Sequence, residues 1–169
     1  IQYPDGSVYE GALKADQPDG KGRITYPDGA SYEGDWVAGV IEGQGEICQI
    51  ALVERHRGTG GVVNGFVSGF GYRGRVAVAS TIAHDSHHMI VVGTCAENMA
   101  AAVDRLGALQ GGITVFRDGA ELAHVALPIA GLISDAPAAE VAAAAEAVNA
   151  AIRACGCTMN NAIMQHVLL

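Results

Sequence analysis

Basic side chains are scarce in this chain. Ten Lys and Arg stand against eighteen Asp and Glu among 169 residues, giving a net charge of -8 and a pI near 5.1. Neutralising a phosphate backbone needs clustered cations, so the shortage argues against DNA or RNA as a partner. Long apolar runs are also missing: no stretch of eighteen apolar residues interrupts a composition that is 50% hydrophobic and 17% charged, so a soluble globular chain is expected. The four cysteines, Cys48, Cys95, Cys155 and Cys157, lack CxxC spacing. A chain of this length buries enough core without disulfide staples, so reduced thiols and a cytoplasmic setting are expected. Cys155-Gly156-Cys157 has no second pair nearby to complete a metal set. Ile1-Gln2-Tyr3-Pro4-Asp5-Gly6 has neither the charged start nor the apolar stretch of a signal peptide, and a start at Ile1 suggests a fragment or a processed chain.

What the chain does have is a repeat. Tyr3-Pro4-Asp5-Gly6 recurs as Tyr26-Pro27-Asp28-Gly29, Tyr9-Glu10-Gly11 recurs as Tyr32-Glu33-Gly34, and Gly20 and Gly22 map onto Gly43 and Gly45, all at the same shift. Pro-Asp-Gly is turn chemistry, because Pro presets φ at the first corner and Gly accepts positive φ at the next. Gly22-Arg23-Ile24-Thr25-Tyr26 alternates with the period of a half-buried strand. Tyr32, Gly34, Trp36 and Gly39 follow the pattern Tyr-x-Gly-x-Trp-x-x-Gly, which resembles the membrane occupation and recognition nexus (MORN) repeat. The first copy departs from it, with Leu13 in place of Trp and Asp16 in place of the third Gly. That resemblance implies stacked hairpins used for self-association, protein docking or contact with lipid head groups. A structural cap, or one end of a longer array, is equally consistent with only two copies.

After Glu46 the texture shifts to long Ala, Val and Ile segments, which sets an expected boundary between residues 1–46 and 47–169. Ile50–Val53, Arg75–Ser80 and Met89–Gly93 have the length and β-branching of buried strands. Ile113–Phe116 and Glu121–Ala126 flank a hairpin signal at Arg117-Asp118-Gly119-Ala120. Helices are expected over 96–109, capped by Thr94, and over 138–155, entered through Ser134-Asp135-Ala136-Pro137 and ended by Gly156. Apolar residues recur three and four apart, as Met99, Val103 and Leu106, and as Val141, Val148 and Ile152. The expected architecture is an α+β, α/β-like domain with a mixed sheet and at least two covering helices, behind a small all-β hairpin region.

Three islands carry a more specific likeness: Val53-Glu54-Arg55-His56-Arg57-Gly58-Thr59-Gly60, Ile82-Ala83-His84-Asp85-Ser86-His87-His88, and Leu127-Pro128-Ile129-Ala130-Gly131-Leu132-Ile133-Ser134-Asp135. With Gly65–Gly71, Asn98-Met99-Ala100 and Asn149, their order and spacing resemble the C-terminal domain of bacterial adenine deaminases, truncated at its own C-terminus. The resemblance implies a role in an amidohydrolase of purine salvage and adenine catabolism, which turns adenine and water into hypoxanthine and ammonia. It also implies Mn or Fe held by a separate (β/α)8 barrel domain, the chain's expected partner. The His-x-His ligand strand of such barrels is missing from this sequence, so turnover and bound metal are not expected of the chain alone. A face that normally docks on a barrel also predicts self-association.

His84-Asp85-Ser86-His87-His88 is the densest group of ionisable residues. His84, Asp85 and His87 are ligands of the right type for a transition metal. Ser86 is too near His84 and Asp85 in sequence for a catalytic triad, which is assembled from distant segments. Alternatively, the cluster is internally hydrogen-bonded and holds a loop against a neighbouring domain. By resemblance, His84, Asp85, Ser86 and His87 are the candidates to face an active site, and Arg55, His56 and Thr59 to frame substrate or a domain junction. The Arg55–Gly60 turn offers backbone N–H groups to an anion but lacks phosphate-loop spacing. Gly60-Gly61 and Gly111-Gly112 are expected to be turns, and His124 and His166 to be isolated, satisfied structural groups. A noncatalytic module whose repeats recruit a protein or lipid partner is the alternative function.

Overall fold

A computed structural model describes residues 1–4, 6–27, 31–37, 40–41 and 47–167. Two compact units are formed, Ile1–Glu42 and Gly43–Leu169. The expected boundary after Glu46 falls outside the described residues, as do Asp5, Asp28, Gly29, Gly39, Gly43 and Gly45 of the repeat.

The first unit is an antiparallel sheet of β1 (Val8–Lys14), β2 (Gln17–Thr25), β3 (Ser31–Val37) and β4 (Val40–Ile41), paired in that order. Its registers place Tyr9 beside Ile24 and Ile24 beside Tyr32, and align Gly11, Gly22 and Gly34 in the adjoining row. Alternation sends Tyr9, Ile24 and Trp36 to one buried face, where the Tyr9 and Trp36 rings meet edge-on at 4.8 Å. The repeated glycines are explained by the tyrosines: a Cβ on Gly22 would lie 2.1 Å from the Tyr9 hydroxyl, and one on Gly34 2.1 Å from that of Tyr32. Each ring therefore lies over glycine backbone, and Trp36 Nε1 donates to the Gly22 carbonyl at 3.1 Å. In the degenerate first copy Leu13 is half-exposed where Trp36 is buried, and Asp16 takes a left-handed φ of 61° in the β1–β2 turn.

The second unit is built on six strands: β5 (Ile47–Val53), β6 (Val62–Ser68), β7 (Val76–Ser80), β8 (Met89–Gly93), β9 (Gly112–Arg117) and β10 (Ala120–Ala126). Their order is β10-β9-β7-β8-β5-β6, and every pairing is antiparallel. The α+β class holds, and the pairing directions refine the expected mixed sheet to an antiparallel one. The α/β-like texture has a cause in the topology: β8 and β9 run the same way, joined by helix α1 (Ala96–Ala108), but β7 lies between them, a split βαβ unit.

Both faces of the sheet are covered. Val76, Val78, Val92 and Val115 point to one side, against Val148 and Ile152 of α2 (Ala138–Ala154) and Ala162 of α3 (Ala162–Val167). Ala77, Ala79, Val91 and Phe116 point to the other, against Met99, Ala102 and Leu106 of α1. Two-sided burial is why these strands read as unbroken apolar runs. The Asp118-Gly119 hairpin forms, with φ of 51° and 82°. Helix α2 ends at Cys155, followed by left-handed Gly156. Thr94 does not cap α1: Cys95 holds that position, while the Thr94 hydroxyl donates to the Gly74 carbonyl at 2.6 Å and accepts from the Val76 amide at 2.8 Å. No described helix is long and apolar enough to cross a membrane.

Candidate functional site

The three sequence islands meet at one end of the six-stranded sheet. Val53 pairs with both Val62 and Met89, Ser80 with Ile113, and Ala126 with Gly112, so the 54–61, 81–88 and 127–137 loops all leave the same end of the sheet. Arg55 joins them. Its Nε donates to the His87 carbonyl at 2.6 Å and its Nη2 to the Ala130 carbonyl at 2.9 Å. Gly131 explains why this fits: at φ +74°, a Cβ there would sit 2.8 Å from the guanidinium nitrogens. Beneath Arg55, the buried Thr81 hydroxyl donates to the Gly131 carbonyl at 2.6 Å and accepts from the Gly112 amide at 2.8 Å. Gly111 is a close backbone approach, its missing Cβ 2.4 Å from the Gly131 Cα, and Gly112 opens β9 where a Gly-Gly turn was expected.

The anion that the Arg55–Gly60 turn could grip is supplied by the chain. Glu54 accepts from the amides of His56 at 2.5 Å, Arg57 at 2.6 Å and Thr59 at 3.0 Å, and from the Thr59 hydroxyl at 3.0 Å. These bonds, the Thr59 amide foremost, hold its pKa down at about 2. Thr59 is therefore committed to shaping this loop. His56 Nε2 donates to the Ser86 carbonyl at 2.9 Å, and its ring lies 4.9 Å from that of His88.

His84, Asp85 and Ser86 are exposed, and His87 and His88 half-buried. His84 Nδ1 lies 3.3 Å from Asp85 Oδ2, but no third ligand joins them: among the described residues no group of three His, Cys, Asp or Glu gathers to hold a metal. The ligand set suggested by His84, Asp85 and His87 is not assembled, so the residues present do not fit a resident metal. The loop backbone is left-handed at Asp85 (φ 65°) and His87 (φ 48°). The Nδ1 atoms of His87 and His88 are buried without a hydrogen-bond partner among the described residues. Such orphaned nitrogens, together with three non-glycine residues at positive φ (Asp85, His87 and Ala130) in two adjoining loops, are features that concentrate at binding sites.

The other singled-out residues are structural. His166 donates from Nδ1 to the Ala162 carbonyl at 2.7 Å and accepts at Nε2 from the Tyr72 hydroxyl at 2.6 Å. Burial lowers its pKa to about 4. His124 pairs with Glu121 at 3.2 Å. Partial burial pushes the Glu121 pKa up, but Arg105, Thr114 and His124 outweigh this and the net shift is down. Buried Asn98 donates to the Arg75 carbonyl and accepts from the Gly119 amide, tying α1 to the hairpin. All four cysteines are free and buried, and burial, then Cys157, pushes the Cys48 thiol up to about 12. Sequence reasoning missed the roles of Glu54 and Thr81. A Glu four residues before the Gly58-Thr59 turn was the available signal for Glu54, whereas nothing local marks Thr81.

Fold and site together define an α+β domain whose loop end is tied together by one arginine and in which, among the described residues, no cluster of metal ligands is assembled. Residues 31–169 match the adenine deaminase C-terminal domain family, and residues 9–31 match the MORN repeat. The chain is 74% identical over 124 residues to an adenine deaminase of Paracoccus denitrificans, covering 73% of this chain and 21% of that protein. It is 71% identical over 124 residues to one of Ruegeria pomeroyi and 46% to one of Moorella thermoacetica, covering the same share of each. This chain belongs to the adenine deaminase C-terminal domain family, and it spans about a fifth of the length of the curated relatives it matches.

Proposed function

We propose that residues 47–169 serve as the C-terminal domain of an adenine deaminase, forming one wall of a pocket in which adenine and water become hypoxanthine and ammonia. The observation that carries this is the convergence of the three islands on Arg55 at one end of the sheet. Arg55 donates to two carbonyls from separate loops, so its role is to position those loops, with His56 and Thr59 bracing them. His84, Asp85 and Ser86 keep exposed polar groups able to hydrogen-bond a purine edge, and the unpartnered nitrogens of His87 and His88 suit the same task. In this scheme an amidohydrolase barrel supplies the Mn or Fe and the activated water, and the protein works in the cytoplasm in purine salvage. The test mixes the chain with a Paracoccus denitrificans adenine deaminase lacking its matching C-terminal segment and measures hypoxanthine. Restored turnover that falls at least tenfold with Asp85→Asn supports the proposal. Absence of both restored turnover and physical association refutes it.

A noncatalytic interaction module is favoured by one observation, the MORN match at residues 9–31. The polar face of that sheet carries Glu10, Glu33 and Asp35 beside Lys21 and Arg23, with Lys21 paired to Asp35 at 3.1 Å. Such a face suits a protein partner better than an anionic lipid surface.

A further inference from the structure

Helix α3 is too short to be stable by itself, so what docks it decides where it sits. Its buried side chains are Ala162, His166 and Val167, and the His166 imidazole is the largest of the three. That ring lies 4.5 Å from the Phe70 ring and accepts at Nε2 from the Tyr72 hydroxyl at 2.6 Å, while its Nδ1 donates to the Ala162 carbonyl at 2.7 Å. Tyr72 is held in turn by the chain that leads into α3. The Arg73 amide donates to the Cys155 carbonyl at 2.9 Å and the Thr158 amide to that of Phe70 at 3.3 Å, so residues 70–73 lie along the segment joining α2 to α3. One residue beyond His166, in a last helical turn where carbonyls lack intrahelical donors, the Val167 carbonyl accepts from the His84 amide at 2.8 Å.

We infer that Tyr72 and His166 are positioning residues for His84: their buried bond fixes the rotation of α3 and, through the adjoining Val167 carbonyl, the start of the 84–88 loop. Apolar burial alone would not do this, because it is non-directional and lets a short helix turn or slide on the surface it covers. A hydrogen bond is directional, and inside the core neither partner can exchange it for water. A Leu facing a Phe would fill the same space without taking an imidazole and a phenol out of water, so the polar pair carries a desolvation cost that packing does not require. What it adds is geometry, one peptide away from the His84 contact. The far end of the loop is held from elsewhere, by Arg55 on the His87 carbonyl and His56 on the Ser86 carbonyl, so the two ends of the loop are pinned by different parts of the fold. The importance of His84 toward a substrate rests on the function proposed above, whereas its coupling to Tyr72 does not.

Amide exchange of the full chain, read residue by residue by NMR, tests it. His84 lies in a loop and is expected to exchange through local opening, faster than Val91 and Val92 of the interior strand β8. Tyr72→Phe, which deletes only the donated bond, speeds His84 about fivefold, the factor set by one net hydrogen bond. His166→Leu does at least as much, whereas His166→Gln, whose amide oxygen still accepts from Tyr72, stays within about twofold. The control is Ala102→Gly, which weakens α1 on the opposite face of the sheet: it speeds Val91 and Val92 and leaves His84 unchanged. Circular dichroism establishes that all four variants are folded. An unchanged His84 in Tyr72→Phe overturns the inference. So does a His84 that speeds equally in Ala102→Gly, which would report global stability alone, and so does His166→Gln as disruptive as His166→Leu, which would leave the acceptor at Nε2 without a role. Exchange needs neither adenine nor a second protein, so failure to restore turnover in the mixing experiment would strike the deaminase reading and leave this result standing.

Discussion

Replacing Arg55 by Ala removes two hydrogen bonds that tie separate loops to one side chain. The half-buried bond to the His87 carbonyl is 2.6 Å long and the exposed one to Ala130 is 2.9 Å. A bond from a charged donor contributes about 1.5–3 kcal/mol net. Taking about 2 for the half-buried bond and about 1 for the exposed one, which water replaces readily, gives a loss of about 3 kcal/mol. For a chain of this size that corresponds to a fall in melting temperature of about 6–12 °C. Arg55→Lys should be intermediate, because an ammonium on a flexible stem replaces a fork that spans both carbonyls at once. Thermal melts followed by circular dichroism give the magnitude, and amide exchange at His87, whose N–H donates to the Ala83 carbonyl, locates it in the loop. Arg55→Ala with an unchanged melting temperature and unchanged exchange at His87 would show that the loops hold each other without the guanidinium.

Gly131→Ala should cost about 1–2 kcal/mol from left-handed backbone, plus the displacement of Arg55; its effect should fall when Arg55 is already Ala, a coupling readable in a double-mutant cycle. Gly22→Ala should destabilise the first unit by about 1–3 kcal/mol or more, because the buried Tyr9 ring has nowhere to go, and Trp36 fluorescence should report it at lower urea. His166 has a folded pKa lowered from 6.5 to about 4, so its contribution to stability is complete above pH 6.5 and is lost as pH falls toward 4. That difference amounts to at most about 3 kcal/mol. Urea melts at stepped pH should show the loss, and Tyr72→Phe should lower stability at neutral pH by about 1 kcal/mol through its missing hydroxyl.

The β7, β8 and β9 strands, the Asp118-Gly119 hairpin and the two longer helices were legible because burial on both faces and turn chemistry leave local patterns. β6 was not, because Gly65 and half-exposed side chains break its alternation. Nor was the short α3, whose docking depends on Tyr72 reaching His166 from a position remote in sequence. The Thr94 cap failed for a similar reason, since a hydroxyl that suits a helix N-terminus was taken by the Gly74 carbonyl and Val76 amide of a neighbouring strand.

By itself the sequence determined the repeat, the composition shift near Glu46, the three islands and the polar character of His84–His88, all properties of residues close along the chain. Only the tertiary structure decided that the islands share one sheet end, that Arg55 is spent on two carbonyls, that Glu54 fills its own loop's anion nest, and that His84, Asp85 and His87 do not gather. The physical reason is that a side chain's chemistry is set by which atoms compete for it, and those competitors come from strands that sequence spacing alone does not bring together.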